Sequence, residues 1–432
     1  MTDRSRNGGV LADWFRAHAT PLESLDPGAP LDDLDDVREI IGTARIVAIG
    51  ENAHFVDEFS LARQRLIRFL AERCGFTTVA YEFGFGEAFA LQPWLQGAGA
   101  PDDLAAISPA ATAWGAEGMM RWLRGHNLAS GRPVRFAGID LPEAGGALRP
   151  VLDPVADYLS EADPDALPVL TDAVRLSDAF LAGLGSGAAA APAWAATSPA
   201  DRHALTAALA RVRLRLQAMA PSSIARCGRD RYEVALRQVE AACHTDYMFG
   251  AVHDLMNGSL VPGDMSVREN FMAESVGWHL AHAGPDARVI VVAHNNHIQK
   301  TPVAFGGTLT ALPMGQHLQH MFGSDYVALA LTHTADHVPE MYPDADASVG
   351  FTVADAHLPT PGPNTVEGAL FGANLHDRIT VTDLRDSPRD TGGASLLTGI
   401  RTQSAVLDTT LPAAFDAVLA VPTVTTTPSI RF

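Results

Sequence analysis

Four short apolar runs, each ending in or followed by an ionisable side chain, constrain the fold of this chain more than any other feature. The runs cover residues 44–50, 77–82, 134–140 and 287–294. Short runs rich in Val and Ile are typical of strands buried on both faces, and such strands occur mainly in parallel sheets covered by helices. The segment between the first two runs has apolar residues at helical spacing and stops at Gly75. This pattern predicts a strand–helix–strand unit.

The pattern of helices and strands divides the chain into three stretches. Residues 1–145 alternate strands and helices, which predicts an α/β fold with a mainly parallel central sheet flanked by helices. Strand patterns are missing from 146–285, where Ala-, Leu- and Arg-rich stretches predict only helices, and they resume in 286–432. We interpret the middle stretch as a helical lobe inserted between strands of the α/β core. Within the lobe, the low-complexity segment 183–201 predicts a mobile connection.

The charge of the chain bears on its partners. Its 432 residues include 31 Lys and Arg and 50 Asp and Glu, which gives a net charge of −19. This charge repels phosphate backbones and anionic lipids, so it argues against nucleic acid as a partner. We expect a small molecule or a modified peptide as the substrate. An assembly of identical chains is compatible with the sequence.

Other features bear on location and cofactors. No apolar run approaches the roughly 20 residues that cross a bilayer, and the amino terminus has no secretory apolar region, which predicts a cytoplasmic protein without membrane contact. Cys74, Cys227 and Cys243 lack the spacing of a zinc site or a disulfide framework. The segment 84–89 has two of the three glycines of a dinucleotide fingerprint, with Phe89 at the third position. We therefore predict no cofactor.

Ionisable side chains gather where the predicted strands end. The carboxyl ends of parallel strands meet at one edge of a sheet, so residues distant in sequence come together there. A lone acid at a strand end is commonly a helix cap or a partner for an arginine, and a lone loop histidine is commonly structural. Acids and histidines at four such ends favour a functional site instead. The candidates are Glu51, Glu82, Asp140 and His294 at the strand ends, with His54, Glu58, Arg63 and His297 beside them.

These residue types suit acid–base chemistry. A carboxylate beside an imidazole fixes its tautomer and stabilises its charged form, so His54 is a candidate general base that activates water. A second imidazole could give a proton to the leaving oxygen, and an arginine could stabilise an oxyanion. The sequence has no serine-hydrolase elbow, zinc-protease helix or P-loop. The predicted reaction is hydrolysis by water without a covalent intermediate.

The motifs around these residues resemble those of the erythromycin esterase family. The resemblance covers about residues 40–335 and rests on the ordered segments GENAHFVDEF, VAYEFGF, MRWLRGHN, RFAGIDL, SVRENFMAESVGW, VVAHNNHI and MGQHLQHMFG. It implies an α/β core with a helical lobe over a deep cleft. It also implies that a histidine activates water to open macrolide lactones, without a required metal.

The resemblance further implies roles for individual residues. It makes His54 the general base, with Glu51 and Glu82 positioning and polarising the base or the water. Arg63, His294 and His297 complete the predicted catalytic set. The predicted substrate-binding residues are Phe55, Glu58, His126, Asp140 and Arg268.

Two departures from the family pattern leave alternatives open. Members usually carry threonine before the first histidine and glycine after it, whereas this chain has Ala53 and Phe55. A ring beside the base changes which substrate fits, so a natural product other than erythromycin, in a biosynthetic pathway, is a candidate. The same residues could serve elimination, acyl transfer, or a binding protein without turnover. The remaining alternative is a metal-dependent hydrolase with Glu51, His54, Glu82, His294 and His297 as ligands.

Overall fold

An eight-stranded sheet forms the centre of the computed structural model, which describes residues 3–427. The strands in this part of the chain are β1 Thr20–Pro21, β2 Ile46–Ile49, β3 Thr78–Gly84, β4 Arg135–Asp140, β5 Val289–Val292, β6 Val303–Phe305, β7 Thr308–Ala311, β8 Tyr326–His333, β9 His337–Pro343, β10 Phe351–His357, β11 Thr380–Asp383, β12 Gly399–Thr402, β13 Ala405–Asp408 and β14 Ala417–Val421. The order in the central sheet is β1-β11-β14-β8-β2-β5-β3-β4.

The central sheet is mainly parallel, as the sequence predicts. Its six strands from β14 to β4 run parallel to one another. At one edge, β11 pairs antiparallel with β14, and β1 pairs antiparallel with β11. The four predicted strands are β2, β5, β3 and β4, which lie next to one another. Their carboxyl ends therefore share one stretch of the sheet edge.

Helices cover both faces of the sheet. Within residues 3–427 they are α1 Asp3–His18, α2 Asp35–Ile41, α3 Asp57–Cys74, α4 Glu87–Leu95, α5 Leu104–Ile107, α6 Pro109–Ala113, α7 Glu117–Ala129, α8 Arg149–Ala162, α9 Leu167–Leu181, α10 Gly187–Ala196, α11 Pro199–Ala218, α12 Ala220–Cys227, α13 Arg229–Met256, α14 Ser266–Ala283, α15 Asn295–Ile298, α16 Met314–Phe322, α17 Val366–Ala373 and α18 Leu411–Ala414. None of these helices is both long and apolar enough to cross a bilayer.

The strand β2 shows why the apolar runs lack polar alternation. Val47 and Ile49 pack in the hydrophobic cluster that contains side chains of α3, whereas Ile46 and Ala48 pack in the cluster on the opposite face of the sheet. All four side chains are fully buried. Both faces of the strand must therefore be apolar, as expected of a central parallel strand.

Helices α8 to α13 contribute to a third hydrophobic cluster beside the sheet. Its buried side chains include Leu152, Leu170, Leu209 and Val239. The prediction of a mobile connection at 183–201 is wrong, because this segment contains α10. Ser186 caps that helix by accepting the N–H of Ala189, and Ala190 and Ala191 are fully buried. Alanine is the best helix former and lets α10 pack closely on α13.

Two helices cover the open edge of β4. Gln92 of α4 donates a hydrogen bond to the carbonyl oxygen of Phe136 (2.6 Å), and Nε2 of His279 of α14 donates to that of Gly138 (2.9 Å). These bonds satisfy carbonyl groups that would otherwise be free to pair with another strand. They also fix α14, whose first turn brings Arg268 to the carboxyl end of β4.

Candidate active site

A large cavity opens at the carboxyl ends of β2, β3, β4 and β5. Its volume is about 1570 Å³. Small-molecule sites usually have roughly 300–1,000 Å³, so the cavity can hold a large substrate. Residues from distant parts of the sequence line it together. The predicted site residues that line it are Glu51, His54, Phe55, Arg63, Glu82, Asp140, Arg268 and His297.

Glu51 and His54 form a hydrogen-bonded pair after β2. Nδ1 of His54 lies 2.7 Å from Oε1 of Glu51. Arg63 of α3 holds the other carboxylate oxygen, with Nη1 2.6 Å from Oε2. Its remaining nitrogens donate to the carbonyl oxygens of Gly50 (2.9 Å) and Ala293 (2.8 Å). Arg63 therefore ties Glu51 to the ends of β2 and β5.

The charge of Glu51 determines where His54 carries its proton. Burial alone would raise the pKa of Glu51, but Arg63 and the hydrogen bond from His54 outweigh burial and hold the pKa below its usual value. An ionised carboxylate only accepts hydrogen bonds, so Nδ1 of the neutral His54 ring carries the hydrogen and Nε2 has the lone pair. No residue within 3–427 hydrogen-bonds that Nε2. His54 can therefore take a proton from a molecule in the cavity.

A second buried network lies beside this pair. Nε2 of His297 is 3.2 Å from Oε1 of Glu82, and its Nδ1 is 2.6 Å from Oε1 of Glu269. Arg268 donates to Glu82 through Nη2 (3.1 Å) and to Asp140 through Nε (2.8 Å) and Nη2 (2.5 Å). The network joins the carboxyl ends of β3 and β4 to α14 and α15.

The acids of this network keep His297 protonated. Burial alone would lower the pKa of His297, but Glu269 and Glu82 outweigh burial and raise it to about 10. Burial likewise opposes the charge of Glu82, but His297 and Arg268 hold the pKa of Glu82 well below its usual value. At neutral pH, His297 is an imidazolium that donates both N–H groups to carboxylates. It has no lone pair with which to act as a base.

His294 lies next to His54 and is neutral. The two ring centroids are 5.1 Å apart. Nδ1 of His294 accepts the backbone N–H of Asn296 (3.1 Å), so the hydrogen of the ring is on Nε2. Burial is the main cause that lowers the pKa of His294, to about 3. Its buried Nε2 has no partner in the described part of the chain. His294 is not one of the residues that line the cavity, but it places a neutral N–H donor next to the candidate base.

The backbone of the His54 loop is strained at Phe55. Phe55 has a φ of +63°, in the left-handed region that favours glycine and costs another residue about 1–2 kcal/mol. Its ring stacks on Trp114 with 5.3 Å between centroids and lies 6.0 Å from the ring of His54. The stacking offsets part of the strain. The ring also narrows the cavity beside His54.

Two predicted substrate-binding residues lie away from the cavity. Glu58 accepts hydrogen bonds from Oγ1 of Thr423 (3.0 Å) and Oγ1 of Thr425 (2.9 Å), which anchor the last described segment of the chain. The ring of His126 on α7 lies 3.2 Å from the carbonyl oxygen of Arg132. Neither side chain lines the cavity. The structure therefore does not bring Glu58 and His126 to the other candidates.

Sequence reasoning missed other polar residues of the site. Glu269 follows Arg268 directly in the segment SVREN, and this adjacency was a signal that could have pointed to it. Glu87 enters the cavity wall from the start of α4, and Gln403 contacts the His54 loop from the turn between β12 and β13. Their spacing in the sequence gives no such signal, because only the folded chain brings them to the site.

Most of the side-chain nitrogen and oxygen atoms of the site that could bind a metal already form hydrogen bonds within the protein. Both ring nitrogens of His297 contact carboxylates, and Nδ1 of His294 accepts a backbone N–H. Across residues 3–427, no three His, Cys, Asp or Glu side chains converge in a way that could hold a metal ion. The metal-dependent alternative would need these hydrogen bonds to rearrange.

Glu87 is a buried carboxyl group in the cavity wall that has no cationic partner within residues 3–427. Its Oε1 accepts the backbone N–H of Glu143 (2.9 Å), and its buried Oε2 has no partner among residues 3–427. Burial raises the pKa of Glu87 to about 7, and the charges of Glu143 and Asp140 act in the same direction. Glu87 therefore holds a proton at a pH where an exposed glutamate has lost it.

We expect Glu87→Gln to stabilise the protein above pH 7 and to have little effect near pH 4. An unfolded glutamate ionises near pH 4.3, so between that pH and pH 7 only the folded state keeps the proton, and stability falls as pH rises. The free energy of unfolding of the wild type falls by up to about 3 kcal/mol over this pH range, and Glu87→Gln avoids this fall. Thermal unfolding at both pH values measures it, with Glu39→Gln on the exposed face of α2 as the control. A gain that does not depend on pH would contradict the raised pKa.

The chain is similar to erythromycin esterases over most of its length. The sequence pattern of the family described as "Erythromycin esterase" matches residues 71–424. Erythromycin esterase type II from Escherichia coli is 36% identical over 413 residues, which cover 95% of this chain and 96% of that protein. Erythromycin esterase type I from Escherichia coli is 34% identical over 386 residues, which cover 88% of this chain and 91% of that protein.

Solved structures show the same likeness. A mutant of the erythromycin esterase EreC in its open conformation has a TM-score of 0.86 at 31% identity, covering 94% of this chain and 98% of that chain. A succinoglycan biosynthesis protein has a TM-score of 0.71 at 20% identity over 98% of both chains, which shows a shared fold. The family pattern and the identity to both esterases extend over most of the chain. The chain therefore belongs to the erythromycin esterase family of hydrolases.

Proposed function

We propose that this protein hydrolyses an ester or lactone of a natural product, with His54 as the general base. The observation that carries the proposal is the Glu51–His54 pair, in which Nδ1 is held 2.7 Å from a carboxylate while the ring lines the cavity. Arg63 keeps Glu51 ionised and in place. A carboxylate–imidazole pair of this kind supports proton abstraction from water.

The proposed reaction begins with water between His54 and the substrate. The water gives a proton to Nε2 of His54 while its oxygen attacks the carbonyl carbon. The tetrahedral intermediate carries negative charge on the former carbonyl oxygen. We assign the stabilisation of that charge to the Nε2–H of His294, which lies next to His54 and has no hydrogen-bond partner within residues 3–427. A neutral imidazole can act as such a donor. When the bond to the alcohol oxygen breaks, His54 returns the proton to that oxygen, which leaves a carboxylic acid and an alcohol.

The surrounding charged residues position these groups. Sequence reasoning assigned oxyanion stabilisation to an arginine, but the guanidinium of Arg63 is committed to Glu51 and to two carbonyl oxygens. We therefore assign Arg63 the orientation of Glu51. The imidazolium of His297 and the guanidinium of Arg268 hold Glu82, whose Oε2 accepts the backbone N–H of His294 (2.9 Å). Glu82 thus sets the position of His294.

Cavity size and the family relationship support a macrolide-sized lactone as the substrate class. The relatives of this chain are named erythromycin esterases, and the cavity of about 1570 Å³ has room for a large ring. Phe55 and Trp114 form an aromatic wall beside His54. This wall favours an apolar portion of the substrate near the reacting carbonyl. Erythromycin is the first compound to assay.

Turnover of erythromycin in oxygen-18-labelled water tests the proposal. Hydrolysis is expected to give a ring-opened acid that carries one labelled oxygen, because the attacking oxygen comes from water. Elimination would give an unsaturated acid without the label, and acyl transfer to an added alcohol would give an ester. Either product would refute hydrolysis. If erythromycin is unchanged, the same assay on a panel of other lactones and esters separates a different substrate from a protein that only binds.

A chelator addresses the metal-dependent alternative in the same assay. The proposed reaction uses only side chains and water, so the rate is expected to be unchanged after dialysis against EDTA. A loss of rate that added zinc or manganese restores would support the metal-dependent hydrolase instead.

A further inference from the structure

The hairpin of β12 and β13 contacts both halves of the proposed catalytic site. In its turn, Gln403 donates its backbone N–H to the carbonyl oxygen of Asn52 (2.6 Å). Oε1 of the same residue accepts the backbone N–H of His54 (3.2 Å). Beside it, Oγ1 of Thr402 donates to Oδ1 of Asn296, which lies between the two later histidines (3.2 Å). One hairpin is thus bonded to both histidine-bearing segments.

Gln403 has an unfavourable backbone conformation and a buried amide nitrogen without a partner within residues 3–427. Its φ is +49°, in the left-handed region that residues other than glycine rarely adopt. Such a conformation persists only where surrounding contacts determine it, and it occurs often at functional sites. The amide Nε2 of Gln403 is buried and has no hydrogen-bond partner in the part of the chain that the structure describes. Both features cost stability.

A purely structural turn would not require glutamine here. Glycine or asparagine adopts the left-handed conformation more readily, and the backbone bond to Asn52 needs no side chain. Within residues 3–427, the one hydrogen bond that the side chain of Gln403 makes is to the N–H of His54. The choice of residue is therefore connected to the placement of His54.

Within residues 3–427, the bond to Gln403 is the one hydrogen bond that the backbone N–H of His54 makes. On the far side of His54, the carbonyl oxygen of Phe55 accepts the N–H of Thr427 (2.9 Å). The ring of His54 is held by Glu51. Without the bond from Gln403, the backbone of His54 can shift while these two contacts remain. The 5.1 Å between the rings of His54 and His294 would then change.

We propose that Gln403 is a positioning residue that sets the place of His54 relative to His294 through its hydrogen bond to the His54 backbone. The inference rests on the proposed function, because it concerns the orientation of the proposed base. Gln403 does not line the cavity. Its effect is therefore on the chemical step and not on substrate affinity. A misplacement of about 1 Å in an active site can lower the rate about 100-fold.

Three substitutions of Gln403 separate the effect of its side-chain hydrogen bond from the effect of the turn conformation. Gln403→Met keeps the size of the side chain and removes the acceptor, so kcat is expected to fall at least about tenfold while KM stays within about twofold. Gln403→Glu keeps an acceptor oxygen and is expected to retain most of kcat. Gln403→Gly favours the backbone conformation and lacks the acceptor, so kcat should fall as in the Met variant without a lower Tm. Ser404→Ala, on the exposed side of the same turn, is the matched control.

A second readout does not need a substrate. Because it is hydrogen-bonded to Glu51, the Nδ1–H proton of His54 is expected to give a downfield NMR signal, which its loss in His54→Gln identifies. We expect Gln403→Met and Gln403→Gly to shift this signal, whereas Gln403→Glu and Ser404→Ala retain it. Unchanged kcat and an unchanged signal in the Met variant would overturn the inference, as would equal losses of kcat and Tm in all three variants. Turnover by His54→Ala would instead refute the proposed function.

Discussion

Replacement of His54 by alanine is expected to lower kcat about 10³- to 10⁴-fold while the protein stays folded. The reason is that the neighbouring imidazoles cannot replace it. His297 remains protonated, with a pKa of about 10 and both N–H groups donated to carboxylates. His294 uses its lone pair to accept the N–H of Asn296. Steady-state hydrolysis of the substrate and thermal unfolding measure the two effects.

His126→Ala is the control for this variant. The sequence places His126 among the substrate-binding residues, whereas the structure places it on α7, away from the cavity. We therefore expect its kcat and KM to equal those of the wild type. A His54→Ala protein that keeps full turnover, or a His126→Ala protein with a raised KM, would contradict the arrangement of the site.

The Glu51→Gln variant shows whether the two residues act as a unit. An amide in place of the carboxylate can present its N–H to Nδ1, which favours the wrong tautomer of His54 and removes the charge that stabilises its protonated form. The effects of residues that act together are far from additive. The double variant of His54→Ala with Glu51→Gln is therefore expected to be little slower than His54→Ala alone. Multiplied losses would indicate independent roles.

Arg268→Met is expected to have the largest effect on stability, lowering it by about 3–5 kcal/mol. Arg268 is the cation that the carboxylates of Asp140 and Glu82 share, and the side chains of these acids are 2% and 14% exposed. Removal of the guanidinium leaves Asp140 buried without its bidentate partner. Thermal unfolding at neutral pH measures the effect, and the Tm of the variant should fall.

Arg149→Met is the matched control for Arg268→Met. Arg149 also forms a bidentate pair, with Nε 3.0 Å and Nη2 2.6 Å from the carboxylate of Asp178, but its side chain is 54% exposed. Water replaces the lost contacts at such a site, so the Tm should change little. Equal losses in the two variants would show that burial of the pair does not determine its contribution.

The central part of the fold was predictable because burial leaves a direct pattern in the sequence. Strands β2 and β5 are buried on both faces, so their residues read as continuous apolar runs. The stop of α3 at Gly75, where φ is 75°, was likewise visible. The helix in segment 183–201 was not predictable, because an alanine-rich sequence is typical of low-complexity segments as well as of helices. Its packing against α13 is seen only in the folded structure. Composition alone does not distinguish a close-packed alanine helix from a flexible linker.

The candidate site was predictable to the extent that its residues sit at strand ends. Glu51, Glu82, Asp140 and His294 follow this rule, and the structure brings them together. Other residues reach the site from elements whose position depends on the whole fold. Glu269 arrives on α14 and Gln403 on a hairpin near the carboxyl end. No local pattern specifies where such elements dock.

The amino-acid sequence by itself determined the α/β class, the family, and the set of acids and histidines that gather at the sheet edge, because strand burial and strand-end position are local properties of the chain. Only the tertiary structure decided the charge state of each group. At neutral pH His297 is a cation and His294 is neutral, although only two residues lie between them, because one ring lies between two carboxylates and the other is buried beside a backbone N–H. A pKa depends on desolvation and on neighbouring charges in space, and neither exists until the chain has folded.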